Sequence, residues 1–235
     1  METFINEFKK TSYYRNLFIS NNNILAIYLM GSRCAGLQDE ISDYDITIIT
    51  LNGEYIDFSK WEYLRYKTRK VHWYAHSLEA LFNLSHKNVL RYLGLILFRN
   101  MHEKSNLIIY ENNEYRELLQ KFFKIKNQVS DLNIYQLFEL YKEDIDNILK
   151  EGRVADNYKG KYLYHLCAAS YYITGETLNT EFLKKVKRIK SLPISVQQEA
   201  LLIERLQIYK NYIEQHPIDV LSEIKILSKE LIPHE

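Results

Sequence analysis

The chain has 235 residues, 46% apolar and 26% charged, with a formal net charge of +1. This is ordinary for a globular protein with one large or two small cores, and nothing global demands a polyanionic partner. Cys34 and Cys167 are too far apart in sequence to form a metal-type pair, the N-terminus carries acids where a signal peptide carries lysines, and no apolar run reaches membrane-spanning length. Reduced thiols, no membrane and a cytoplasmic location are expected.

In chain order, apolar residues at helical spacing predict a helix over Thr3–Ile19, ended by the Asn21-Asn22-Asn23 turn. The apolar runs Ile24–Met30 and Ile46–Leu51 have the length and composition of buried strands. Between them, Ser32–Asp39 reads as a short helix. Asn52-Gly53 is a turn and Ser59–Tyr66 leans towards a helix. Lys70–His76 alternates as a strand, with Val71, Trp73 and Ala75 on one face and His72, Tyr74 and His76 on the other. Ser77 caps a helix through Leu84. Beyond Asn88 the pattern is mostly helical: Val89–Phe98, Tyr115–Phe123, Ile134–Lys150, Lys159–Thr174, Thr180–Lys187, Ser195–Glu214 and Ile218–Leu231. Pro193, Pro217 and Pro233 fall at the boundaries of the last helices. The change of pattern near residue 105 predicts an α+β fold: residues 1–105 form a head, a small mixed sheet flanked by helices, and residues 106–235 form an all-helical domain.

The chemistry concentrates in Ile24–Thr50. Side chains alternate along a strand, so Asp43 and Asp45 point the same way at the mouth of the sheet. Two carboxylates that close repel unless a cation lies between them, and Mg²⁺ takes carboxylate oxygens while keeping room for phosphates. Gly31-Ser32, ending the preceding strand, offers a backbone that a phosphate can approach closely and a hydroxyl to bind it. Gly-Ser, about ten residues, then Asp-x-Asp between apolar strands resembles the signature of the DNA polymerase β-type nucleotidyltransferase superfamily. The resemblance covers roughly residues 24–76. It implies transfer of a nucleoside monophosphate, with ATP as donor, onto an acceptor hydroxyl with release of pyrophosphate. Asp43 and Asp45 would be the catalytic metal ligands for Mg²⁺, in a two-metal site with Mn²⁺ as the alternative. Gly31, Ser32, Arg33 and Ser42 would lie at the nucleotide. The acceptor stays open between a small molecule, a protein side chain and a tRNA end, and homodimerisation stays open too.

The sequence departs from that pattern at the third carboxylate, which relatives often carry on a neighbouring strand. Val71–His76 holds His72 and His76 but no acid. Glu79, Glu62 and the acidic run Glu143, Asp144 and Asp146 are alternatives for a third ligand or a general base. The reading from another class is a non-catalytic member of the fold, an antitoxin or a nucleotide-binding regulatory module. In the helical half, Lys159 and Lys161 are the expected contacts to the β- and γ-phosphates, by analogy with a C-terminal lysine of the superfamily. The cluster Lys184, Lys185, Lys187, Arg188 and Lys190 reads first as a solvated helix face. No P-loop, dinucleotide-binding glycine motif, nucleophile elbow or His-Glu-x-x-His zinc motif occurs.

Overall fold

The computed structural model describes residues 2–20, 23–33, 38, 40, 42–51, 65–78, 108–124, 126–155, 160–189 and 193–231. Two helices open the chain, α1 (Glu2–Lys9) and α2 (Ser12–Ser20), where the sequence predicts one. The break comes at Thr11. Its hydroxyl donates to the Phe8 carbonyl (2.7 Å) and accepts from the Tyr14 N–H (3.2 Å), closing α1 and capping α2 with one side chain.

Five strands follow: β1 (Ile24–Met30), β2 (Tyr44–Thr50), β3 (Arg65–Tyr66), β4 (Arg69–Ser77) and β5 (Ile108–Glu111). They form one mixed sheet in the order β3-β4-β2-β1-β5. β2 and β4 are parallel and the other pairs antiparallel. Arg65 and Tyr66 are therefore strand rather than the end of a helix. Lys67, at φ +50°, turns the chain directly back into β4. Ser77 closes β4 and Leu78 is helical, as expected; the rest of that helix, the helix expected over Val89–Phe98 and residues 59–64 lie outside the described residues. Of the short helix expected from Ser32, the described part is a single 3₁₀ turn, Gly31–Arg33. β5 was not foreseen in a stretch that otherwise reads as helical.

One face of the sheet is sealed by α1 and α2. Phe4, Ile5, Phe8 and Leu17 pack on Ile27 and Leu29 of β1, Ile46 and Ile48 of β2, Val71 of β4 and Ile109 of β5. Each such side chain contributes about 1.5–3 kcal/mol when fully buried. Phe4 stacks on Tyr44 with ring centroids 4.1 Å apart, and Phe8 meets Trp73 at 4.9 Å. The alternation read from the sequence for β4 holds, since Trp73 and Ala75 pack with Val71 against this core. The opposite face carries the cross-strand rows Met30, Asp45, His72 and Tyr28, Thr47, Tyr74.

After β5 a 3₁₀ turn (Asn113–Tyr115) leads into α3 (Arg116–Lys124), followed by α4 (Lys126–Glu151), which breaks at Tyr141 (φ −122°, ψ 15°). α5 (Gly160–Thr174), α6 (Thr180–Lys187), α7 (Val196–Gln215) and α8 (Val220–Leu231) complete the described chain. These helices match the predicted ones to within a residue or two, except that α4 starts at Lys126, eight residues before the predicted Ile134. α5 is almost wholly buried and packs against α6 and α7. Ser195 caps α7 through a capping box with Gln198.

The chain divides into two compact units. One contains α1, α2, all five strands, α3 and the end of α8 from Ile224; the other contains α4 from Ser130, α5, α6, α7 and the start of α8. The sheet-bearing unit thus runs past residue 105, where the change of pattern put the boundary, because β5 returns to pair with β1. Among the described residues no helix is long and apolar enough to cross a membrane. Cys167 is a free, fully buried thiol whose pKa burial pushes up to about 12.

Candidate functional site

The site is built where β1 ends and β2 begins. β1 and β2 run antiparallel with Met30 opposite Asp45, so the turn leaving β1 meets the first residues of β2. Gly31 opens that turn at φ +74°, a backbone conformation that L side chains rarely adopt. A Cβ placed there would stand 2.0 Å from Asp45 Oδ2 and 2.9 Å from its Cγ. Gly31 is therefore glycine for two independent reasons, and the space a side chain would fill is taken by the Asp45 carboxylate.

Asp43 precedes β2 by one residue, on the same side as Asp45 by alternation. Its Oδ1 accepts the Lys70 backbone N–H (3.1 Å), and its Oδ2 lies 3.1 Å from His72 Nε2. A carboxylate accepts, so the ring nitrogen is the donor in that contact. The Asp43 side chain remains 37% exposed. His72 is the register partner of Asp45 across the parallel β2/β4 pair. It therefore occupies, on the neighbouring strand, the place next to both aspartates.

Arg33, last residue of the turn, reaches over to the same segment. Its Nε donates to the Asp43 carbonyl (3.2 Å), its Nη2 donates to the Ser42 carbonyl (2.5 Å), and its guanidinium lies 4.0 Å from the centroid of the Tyr44 ring. Ser32 and Ser42 are both buried.

Six of the residues singled out in the sequence thus share one edge: Gly31, Ser32, Arg33, Ser42, Asp43 and Asp45. Lys159, Glu62 and Glu79 lie outside the described residues, as does the side chain of Lys161, on the first turn of α5. Glu143, Asp144 and Asp146 lie on α4 in the other unit; Glu143 is exposed and Asp146 is paired with Lys210. Sequence reasoning missed the contacts that hold Asp43, namely the Lys70 amide, the His72 ring and the Arg33 fork. Only the β4 alternation hinted at His72, by setting it opposite the core-facing Val71 and Trp73.

Chemically, the edge offers carboxylate oxygens beside a glycine turn. A solved structure matches. It is a nucleotidyltransferase-like protein from Exiguobacterium sibiricum, 16% identical, with 95% of this chain and 88% of that chain covered and a TM-score of 0.31. At that TM-score the likeness decides nothing about fold or activity. No protein-family model and no curated protein matches the chain.

The donor set can be tested for a divalent cation on its own geometry. Among the described residues no group of three or more His, Cys, Asp and Glu side chains is arranged to hold a metal ion. Two carboxylates are nevertheless a sufficient protein contribution for Mg²⁺, which keeps several waters or substrate oxygens in its shell. Asp43, partly exposed and with a lone pair left on each oxygen, and Asp45, at the rim of the glycine turn, fit that requirement.

Proposed function

We propose that the chain is a Mg²⁺-dependent nucleotidyltransferase that moves a nucleoside monophosphate, AMP from ATP, onto an acceptor hydroxyl in the cytoplasm. The observation that carries this reading is the juxtaposition of Asp43 and Asp45 with the Gly31 turn, where the Asp45 carboxylate fills the space of a glycine Cβ. Asp43 and Asp45 would hold the cation, Mg²⁺ or Mn²⁺, which when bound neutralises charge on the α-phosphate and the leaving pyrophosphate. Gly31 lets the triphosphate approach the backbone, and Ser32 and the amides of the turn bind its oxygens. The acceptor oxygen forms its bond to the α-phosphorus as the bond to the bridging β-phosphate oxygen breaks. The electron pair leaves with pyrophosphate and the acceptor proton goes to a base. Lys159 and Lys161 are the proposed contacts to the β- and γ-phosphates. The acceptor is a small molecule, a protein side chain or a tRNA end.

The test uses ATP labelled on the α-phosphate, incubated with the protein and separate protein, RNA and metabolite fractions. Label should pass into one fraction with wild-type protein and fall by at least 100-fold with Asp45→Asn or Asp43→Asn, since positioning and charge neutralisation are nearly all of this catalysis. Transfer undiminished in both variants would refute the assignment.

A second reading, a nucleotide-binding regulatory module or antitoxin without turnover, is favoured by one feature. The residue beside both aspartates on β4 is His72 rather than a third acid. Such a module would bind ATP equally well after Asp43→Ala without Mg²⁺, whereas the enzyme would lose metal-dependent binding together with transfer.

A further inference from the structure

Arg33 stands next to the glycine turn, where its charge invites assignment to a phosphate. Its contacts point elsewhere. Both hydrogen bonds go to backbone carbonyls, those of Asp43 and Ser42. The flat face of the guanidinium rests on Tyr44, and Tyr44 is itself fixed by stacking on Phe4 at 4.1 Å and edge-on to Tyr66 at 5.2 Å. Asp43 lies outside the regular β2 ladder, which begins at Tyr44. Asp43 has no register partner, whereas Asp45 is paired with Met30 of β1 and His72 of β4. A residue at a strand mouth depends on the side chains that reach it.

We propose that Arg33 is a positioning residue that fixes Asp43, bracing the residue 42–44 backbone against the Gly31 turn, and does not contact the nucleotide. The planar fork suits this task, because two parallel donors meet two successive carbonyls while the ring below stops the fork from tilting. Lys70 and His72 hold the other end of Asp43, at its carboxylate, so the residue is gripped at its main chain and at its side chain. That these grips serve a metal-binding carboxylate rests on the function proposed above; the brace itself does not.

Two measurements on the full chain separate these levels. Hydrogen exchange of the nucleotide-free protein reads the brace. Arg33→Lys, which keeps the charge but not the fork, should speed exchange of the 42–45 amides at least tenfold while β1 and the remainder of β2 stay protected. Unchanged exchange there would overturn the proposal. Manganese titration followed by electron paramagnetic resonance reads its purpose. Arg33→Lys and Arg33→Gln should both weaken Mn²⁺ binding by about tenfold, with metal-free ATP affinity within twofold of wild type. If instead Arg33→Lys kept wild-type ATP affinity, Arg33→Gln lost it and Mn²⁺ binding did not change, Arg33 would be a phosphate ligand and the proposal wrong. If wild-type protein bound no Mn²⁺, the metal reading would fall, while the brace would still stand or fall on the exchange result. Should Arg33→Lys lose its cooperative melting transition, Arg33→Gln, which keeps one planar donor, carries the exchange measurement.

Discussion

Gly31 and Asp45 constrain each other at the scale of single atoms. The glycine is needed for its left-handed backbone and for the space the carboxylate occupies, and these two requirements can be separated by comparison. Gly152 and Gly175 have similar positive φ values, +65° and +66°, but a Cβ at either would meet nothing within 4 Å. Alanine at Gly152 should therefore cost only the conformational term, about 1 kcal/mol. Alanine at Gly31 adds the displacement of Asp45, so it should cost at least twice as much by denaturant unfolding and should abolish Mn²⁺ binding as well. Equal costs at Gly31 and Gly152 would mean that the carboxylate does not sit against the turn. The ends of the site were legible in the sequence because Gly31, Asp43 and Asp45 are close along the chain and alternation alone orients the two acids. The neighbours of Asp43 were not. His72 reaches it only through the parallel pairing of β2 with β4, a register set by tertiary structure. The sequence shows the charge of Arg33, which set it at the nucleotide, and not the Ser42 and Asp43 carbonyls its fork meets.

At the scale of elements, the later helices were the most readable part, since each carries both a 3.6-residue apolar period and its own boundary signals. In the structure Ser195 with Gln198 caps the start of α7 and Asn179 caps the start of α6. Two elements were misread for opposite reasons. The first helix was drawn through Thr11, whose apolar flanks keep period while its hydroxyl ends one helix and starts another. β5 was missed because four residues carry too little periodicity and its partner β1 lies far back in the chain. Packing between helices has a pH signature. Arg205 of α7 donates twice to Glu176, just beyond α5, at 2.8 and 2.7 Å, and lies over the Tyr171 ring at 4.0 Å. The Arg205 hydrogen bonds, then one from Thr174, hold the Glu176 carboxyl down at about 2, against an ordinary 4.5. The folded state thus takes up this proton less readily than the unfolded one. The stabilisation is complete above about 4.5 and is lost as the pH falls towards about 2. The melting temperatures of wild type and Glu176→Gln should accordingly differ at pH 6 and converge by pH 2 to 3. A difference independent of pH over that range would refute the ion pair's part in holding α5 to α7.

At the scale of the whole molecule, contiguity along the chain is a poor guide to which segments share a core. The sheet-bearing unit is assembled from separated stretches, and its last contribution is the end of α8, at the far C-terminal side of the helical unit. Leu227 and Leu231 on that stretch are almost completely buried. Nothing in their own sequence says with which core they are buried, since an amphipathic helix fits either. The assignment can be tested by spectroscopy in a Trp61→Phe background, where the remaining tryptophan, Trp73, lies on β4 in the first unit. Its fluorescence therefore follows the unfolding of that unit, while far-ultraviolet circular dichroism is dominated by the helices of the other. Truncating a fully buried leucine costs about 2–5 kcal/mol through lost burial and the cavity left behind. Leu231→Ala should thus lower the urea midpoint read by tryptophan fluorescence by the equivalent of that amount, with an unchanged slope. If the variant shifted only the circular dichroism transition and left the fluorescence midpoint in place, the end of α8 would belong to the helical core, and the sheet-bearing unit would end with α3.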